Sequence, residues 1–500
     1  MSRATTSSRL LSRRNMLRAT GGAAAVSAVA RVDARSARAD AATSSDPLFR
    51  ALDEKIEAAM ARYHVPGVAV GVLLDGREYV RGYGVTNVDY PLPVDGDTLF
   101  RIGSTPKTFT GTAVMRLVEQ GKLDLNAPVR RYLPELKLAD ESVAARVTVR
   151  QLLNHSAGWM GDDYADFGRG DDALAKYVTA MRQLPQLTAL GQVLAYNNAA
   201  VDLAGRVIEV VTGSPYETAL QNLVLDPLGL KHSGFFTDTL VGYNTTASHG
   251  VKDVAPVIEP PAWWFPRSLD PTGGLVSSAR DQLRYARFHM GNGTADDGSR
   301  VLTPASLVAM RSNPGPGGTL TMEVDGVCVT WWQRRTAEGV PVFQHGGSWG
   351  GQNSDFFFVP DRGFAMTTLT NSTTGPKLIA DLARSGGWAL SHFAGLNNPP
   401  AVPKKRAPAE LAAYEGRYKG WIIPPTGTPD TIEELAIDLR VADGGLRVIG
   451  DLELILAFYR DDFVLTTDPE GQVKRSDFVR GPDGGVAWFR DGGRIFAHQA

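Results

Sequence analysis

The sequence holds one cysteine, Cys328, in its 500 residues, so no disulfide within the chain can staple it and stability must come from packing. In the segment Val327-Cys328-Val329 that thiol reads as a small core residue, not a nucleophile. Its eight histidines include no His-x-His or His-Glu-x-x-His arrangement and none clusters with cysteine, so neither a metal site nor a cofactor is signalled. Neither sign of charge dominates, with 52 basic against 54 acidic residues, which excludes the broad positive field that holds nucleic acid. No apolar run approaches the ~20 residues needed to cross a bilayer, so stable membrane insertion is excluded too. No segment repeats at a fixed period. What remains, 43% hydrophobic and 21% charged residues, suits a globular chain of two or more domains with large cores. The sequence sets no oligomeric state.

Charge is unevenly placed. Residues 1–39 carry eight arginines against one aspartate. They read Ser12-Arg13-Arg14-Asn15-Met16-Leu17, a weakly apolar Ala/Gly/Val run over 19–30, then the small-x-small tripeptide Ala37-Arg38-Ala39. This order resembles a twin-arginine signal peptide, and it predicts export by that route to the periplasm or the medium.

Asp46-Pro47 is a helix-start signal, and Leu48, Leu52, Ile56 and Met60 make one apolar stripe behind it. Strand-like runs at 68–74 and 79–85 flank Asp75-Gly76, a hairpin turn. Helical pattern broken by Gly/Pro loops fills 104–310, and strands return at 340–343, 354–359 and 364–369. A sheet made from both ends of a segment, with helices from its middle, predicts an α+β domain over 45–395. Residues 396–408 are proline-rich, carry Lys404-Lys405-Arg406 as a solvated charge run, and read as a linker. Over 409–500, short strands alternate with Asp443-Gly444, Glu470-Gly471, Asp483-Gly484 and Asp491-Gly492, the pattern of an antiparallel meander or small barrel.

Three distant segments carry chemistry. Ser104-Thr105-Pro106-Lys107 opens a helix whose apolar face is Phe109, Ala113 and Leu117 and whose end is Gly121. Residues i and i+3 share a side of a helix, so the Ser104 hydroxyl and Lys107 amine can meet. A serine becomes nucleophilic once a base takes its proton, and lysine serves only where burial or a nearby cation lowers its proton affinity. Alone, Ser-x-x-Lys is a common chance match. Tyr196-Asn197-Asn198 precedes a helix containing Val201, Leu203 and Val207, and alone reads as surface loop. His345-Gly346-Gly347-Ser348 follows the strand at 340–343.

The order Ser-x-x-Lys, Tyr-x-Asn, His-x-Gly, at intervals of about ninety and about one hundred and fifty residues, resembles the serine penicillin-recognising hydrolases, in their class C β-lactamase, D-aminopeptidase and esterase branch. Gly82-Tyr83-Gly84, Phe100-Arg101-Ile102-Gly103-Ser104, Gly121-Lys122-Leu123-Asp124-Leu125, the segment 149–158 and Gly273-Gly274-Leu275 extend the likeness over about 66–371. The resemblance implies an α+β sandwich of the β-lactamase/transpeptidase-like type, an antiparallel sheet flanked by helices plus a helical subdomain, followed by a small all-β barrel. It implies Ser104 as the acylated nucleophile, Lys107 as its base partner and Tyr196 as the carrier of the proton to and from the leaving group. Lys107 and His345 would supply the cationic field a phenolate needs. Asn198 would orient Lys107 and bind the substrate amide, the backbone N–H groups of Ser104 and Ser348 would form the oxyanion hole, and Gly346 and Gly347 would bind substrate.

His345 stands where the β-lactamases of this branch hold a lysine. A histidine is only partly charged near neutrality, which argues against efficient β-lactam hydrolysis and for a peptidase or esterase. Pro106 fits the first helical turn, where its missing N–H has no partner. Gly346-Gly347-Ser348-Trp349-Gly350 also matches the nucleophile elbow of α/β-hydrolases, but that elbow needs a helix after the serine, and a strand-like run follows here. Trp263 and Trp264, on a loop, are the candidate substrate wall, with Trp159 beside them. His155 is expected to hold its turn, and the Asp162-Asp163 and Asp171-Asp172 pairs to be solvated. The segment opening Leu411-Ala412-Ala413-Tyr414-Glu415-Gly416-Arg417-Tyr418 resembles the lipocalin-like barrels appended to some D-aminopeptidases, and implies a small-molecule or short-peptide substrate. The combined expectation is an exported serine hydrolase cleaving an amide in small peptides with a D-residue or nonribosomal feature. An esterase, an acyltransferase or transpeptidase, and a non-catalytic penicillin-binding sensor are the alternatives.

Overall fold

Asp46 does cap a helix: its Oδ1 accepts the Leu48 amide at 2.9 Å, and α1 (Pro47–Tyr63) buries Leu52 and Ile56. The computed structural model describes residues 46–259, 263–384, 387–425, 431–442, 444–449, 454–468 and 471–499. The leader read at 1–39, Pro260-Pro261-Ala262 and the turn residues Asp443 and Glu470 lie outside the described residues.

Strands β1 (Gly67–Leu74) and β2 (Arg77–Gly84) form the expected hairpin, with Asp75 and Gly76 at φ 49° and 80° as a two-residue turn of the primed type requires. The short strand Phe100–Arg101 leads into α2 (Pro106–Glu119); later come α3 (Asn198–Thr212) and α4 (Ala279–Met290). Then follow β3 (Gly326–Val327), β4 (Trp332–Arg335), β5 (Pro341–Trp349), β6 (Gln352–Val359) and β7 (Phe364–Thr370). The sheet runs β3-β4-β5-β6-β7-β1-β2, antiparallel throughout, so the two ends of the segment meet where β7 pairs β1. β1 and β7 are buried along their whole length because elements cover both faces; α4 packs so closely that a side chain on Gly71 would overlap Leu283. The α+β class predicted above is the one observed.

His345 lies within β5, not after it, because that strand continues through the motif to Trp349. Gly350 and Gly351, both at positive φ, turn β5 directly into β6, so Ser348 sits on a hairpin and no elbow exists. The core holds Trp331, Tyr285, Phe356 and Phe358 in mutual ring contact, together with the buried His289. Cys328 is buried as expected, and burial pushes its thiol up to about 12, which leaves it unreactive.

Residues 396–407 carry no regular element. The charge run there is not simply solvated, since Arg406 lies over Phe458 and pairs with Asp461. Strands β8 (Gly416–Ile422), β9 (Glu433–Ala442), β10 (Gly445–Ile449), β11 (Leu454–Arg460), β12 (Phe463–Thr467), β13 (Val473–Arg480), β14 (Val486–Asp491) and β15 (Arg494–Gln499) pair in sequence order. β15 returns to β8 and closes the barrel. Tyr418, Leu439, Leu446, Leu456, Phe458, Phe478 and Phe489 fill its inside, so it is a packed core and not a vessel.

One buried ion pair ties the barrel to the rest. Arg490 and Asp477 are 3% and 2% exposed; Arg490 also donates to the Leu194 carbonyl at 2.6 Å, and Asp477 accepts the Thr319 amide at 3.1 Å. Removing one member leaves a buried charge without its partner. Asp477→Ala is expected to cost about 3–5 kcal/mol in urea unfolding, and a loss under about 1 kcal/mol would contradict this role.

Candidate active site

Ser104 stands on the turn between Phe100–Arg101 and α2, with Gly103 at φ 51° and Pro106 opening the helix. Lys107, one turn in, is wholly buried. Its Nζ donates to Ser104 Oγ at 3.1 Å and to the Thr272 carbonyl at 3.0 Å. Burial penalises the ammonium form and lowers this amine to about 7. A large share of the lysine is therefore uncharged at neutral pH, and the same contact then lets Ser104 donate to the nitrogen lone pair.

Tyr196 is brought to this pair by the loop before α3. Its ring lies 5.2 Å from Lys107 Nζ and packs on His155 at 4.3 Å between centroids. Burial pushes the phenol up, while Arg494 and the Ser104 hydroxyl pull it back. Tyr196 is therefore a phenol at rest. The permanent cation beside it is Arg494, whose guanidinium lies 4.6 Å over the ring.

That corrects the role expected of His345. It is fully buried, its Nδ1–H donates to the Gly346 carbonyl at 2.7 Å, and its Nε2 has no partner among the described residues. Desolvation drives its proton affinity well below the usual histidine range, so the ring is neutral and adds no charge. His155 does hold its turn, accepting the Asn197 amide at Nδ1 at 3.1 Å.

Asn198 is also corrected. It opens α3, but its Nδ2 donates to Asp162 Oδ1 at 2.8 Å and to the Tyr164 hydroxyl at 3.1 Å, not to Lys107. The partner that fixes Lys107 is the Thr272 carbonyl. Asp162 and Asp163, read as solvated, are buried. Asp162 takes two hydrogen bonds from Arg494, at 2.8 and 3.1 Å, and Arg494 holds it below the usual carboxylate range. Asp163 accepts the Ala165 amide at 3.1 Å, and burial raises it to about 6. Asp171 and Asp172 are exposed as expected, paired with Arg267 and Lys176.

Two glycines make an anion hole possible. A Cβ on Gly103 would overlap the Ser348 amide nitrogen, and one on Gly347 would overlap the Ile102 carbonyl and the Ser104 amide nitrogen. Only bare backbone lets these two strands approach so closely, and the approach brings the Ser104 and Ser348 amides side by side. Ser104, Gly346, Gly347, Ser348 and Tyr196 all line one cavity of about 230 Å³. Its aromatic walls are Trp332, Tyr164 and Tyr196. The wall expected from Trp159, Trp263 and Trp264 is not there. Trp159 is 1% exposed in the core, Trp263 is pinned by its indole N–H to the Thr246 carbonyl at 2.7 Å, and Trp264 meets the Trp349 indole through its own carbonyl.

The barrel contributes two further lining residues. Gly492 and Arg494 sit on the β14–β15 turn, and the Gly493 carbonyl accepts the Tyr196 amide at 2.8 Å. Arg494 is the one charged side chain among the lining residues, and 39% of it stays accessible. The sequence marks Asp491-Gly492 as a turn, but nothing local signals that the following arginine reaches Asp162.

A family model described as Beta-lactamase matches residues 52–385. Penicillin-binding protein 4 of Amycolatopsis lactamdurans is 34% identical over 380 residues, covering 73% of this chain and 96% of its own. The unguisins hydrolase of Aspergillus violaceofuscus is 24% identical over 352 residues, 66% of this chain and 62% of its own. The solved structure of SurE with D-Leu superposes at a TM-score of 0.69 with 27% identity, over 90% of this chain and 99% of its own. With the family model spanning the sheet, its helices and the Ser104–Lys107–Tyr196 cluster, the chain belongs to the β-lactamase family, the serine hydrolases of β-lactamase and penicillin-binding-protein type.

Proposed function

We propose that this chain is an exported serine peptidase or amidase that works through an acyl-enzyme on Ser104 and cleaves short peptides with a D-residue or other nonribosomal feature. The observation that carries the reading is the buried Lys107 amine 3.1 Å from Ser104 Oγ, next to the Tyr196 phenol and two convergent backbone amides. The small cavity, bounded on one side by the barrel turn, favours a short substrate. An unguisins hydrolase among the relatives and a related structure holding D-Leu support peptide chemistry with D-residues.

Each proton has a place to go. Ser104 Oγ bonds to the acyl carbon as its proton passes to Lys107, and the Ser104 and Ser348 amides take the charge on the carbonyl oxygen. Tyr196 gives its phenol proton to the departing amine as the acyl–nitrogen bond breaks, and the Lys107 ammonium reprotonates the phenolate. Water then attacks the acyl-enzyme by the reverse of these transfers. With His345 neutral, Arg494 is the group that meets a substrate carboxylate.

Ser104→Ala is expected to abolish covalent labelling by a fluorophosphonate probe and to lower turnover of D-amino-acid peptide amides by on the order of 10³ or more. Labelling that persists at another serine overturns the assignment, and faster turnover of p-nitrophenyl esters than of any amide would make the enzyme an esterase. Because the reacting form is the free amine, kcat/KM should rise with pH and reach half its plateau at about 7. A profile still rising at the usual lysine range contradicts a neutral Lys107. Arg494→Ala should cost roughly 10–100-fold in kcat/KM on peptides with a free carboxylate and much less on their amides; equal losses on both would place Arg494 outside substrate recognition.

A further inference from the structure

Asp202 lies one helical turn along α3 from Asn198 and is wholly buried. Neither of its carboxyl oxygens has a hydrogen-bond partner among the described residues. A bare carboxylate so placed is costly, and it persists only if a cation answers it or a proton stays on it. α2, α3 and the turn Asp270–Gly274 pack against one another at this point. Thr272 of that turn stands between the two ionisable groups: its carbonyl accepts from Lys107, and its hydroxyl, which donates to the Leu269 carbonyl at 2.9 Å, lies against Asp202.

The surroundings leave Asp202 one cation. It faces Asp163, whose charge opposes its ionisation, and the phenols Tyr177, Tyr196 and Tyr216. Lys107 in turn faces Asp202, Asp162, Arg494 and the neutral rings of His155 and His345. Asp162 and Arg494 are already paired with each other. That leaves Lys107 with Asp202. Burial pushes the carboxyl up and the amine down, and each pulls the other back, so their proton affinities converge.

We propose that Asp202 is a positioning residue for the Ser104 reaction, its carboxylate facing Lys107 across Thr272 and answering the ammonium that forms when Ser104 is deprotonated. This rests on the acyl-enzyme reading above. The proton leaves Ser104 Oγ, arrives on Lys107 Nζ opposite the Asp202 carboxylate, and leaves through Tyr196 to the departing group, so the pair ends as it began. A nearby carboxylate raises an amine's proton affinity, and its loss therefore moves the acid limb to lower pH while making Lys107 a weaker base.

The test is the pH dependence of Ser104 phosphonylation by a fluorophosphonate probe, followed by intact-protein mass on the full chain, for wild type and Asp202→Asn. The expected result is a limb displaced to lower pH by about one unit or more, with a lower plateau. An unchanged limb, whatever the plateau, overturns the proposal, because a purely structural role alters rate without moving the limb. A wild type that is not labelled at Ser104 would instead sink the acyl-enzyme reading. Asp202→Ala serves where the Asn variant does not fold; a chain that folds with neither assigns Asp202 to stability alone and overturns the proposal.

Discussion

Taking one lysine out of water is the constraint on which the rest of the site depends. In solvent Lys107 would carry its proton past any working pH and could accept none from a serine. Enclosed by α2, α3 and the turn at Asp270–Gly274, it sits near 7 with its Nζ 3.1 Å from Ser104 Oγ. The glycines at 103 and 347 serve the same geometry, since a side chain at either would push apart the amides that flank the nucleophile. Desolvation is costly for any charged group nearby, and the structure meets that cost by pairing: Arg490 with Asp477, Arg494 with Asp162.

The barrel is part of the site and not an appendage to it. Its inside is closed by aromatic packing, so its working surface is the β14–β15 turn, which holds the Tyr196 amide and carries the accessible guanidinium. The His345 position of the hydrolase domain contributes no charge to the site. Here a buried, neutral histidine occupies the place, and the cation comes from the other end of the chain.

Much of this was legible from local signals. The Asp75-Gly76 hairpin, the start of α2 at Pro106, the helix after Tyr196 and the meander of short strands each follow from turn chemistry and apolar period, which act over a few residues. Ser104, Lys107 and Tyr196 were legible because their motifs keep fixed spacing and order. Arg494 and Asp162 were not, since they stand 332 residues apart and only the docked barrel joins them. Asp202 belongs to no motif and Asp162-Asp163 reads as a loop end, because composition does not tell which polar groups a fold encloses. The tryptophans failed for the converse reason: Trp159 and Trp332 are alike in sequence, yet one is core and the other faces the cavity.

The central claim is that the Lys107 amine is largely uncharged when the enzyme works. Carbon-13 NMR of the chain labelled at the lysine ε-carbons, with Lys107→Met to assign the signal, measures this directly. The account predicts one lysine resonance that titrates near pH 7 and vanishes in the variant. If every lysine titrates near its ordinary value of about 10.4, Ser104 has no base beside it and the account fails.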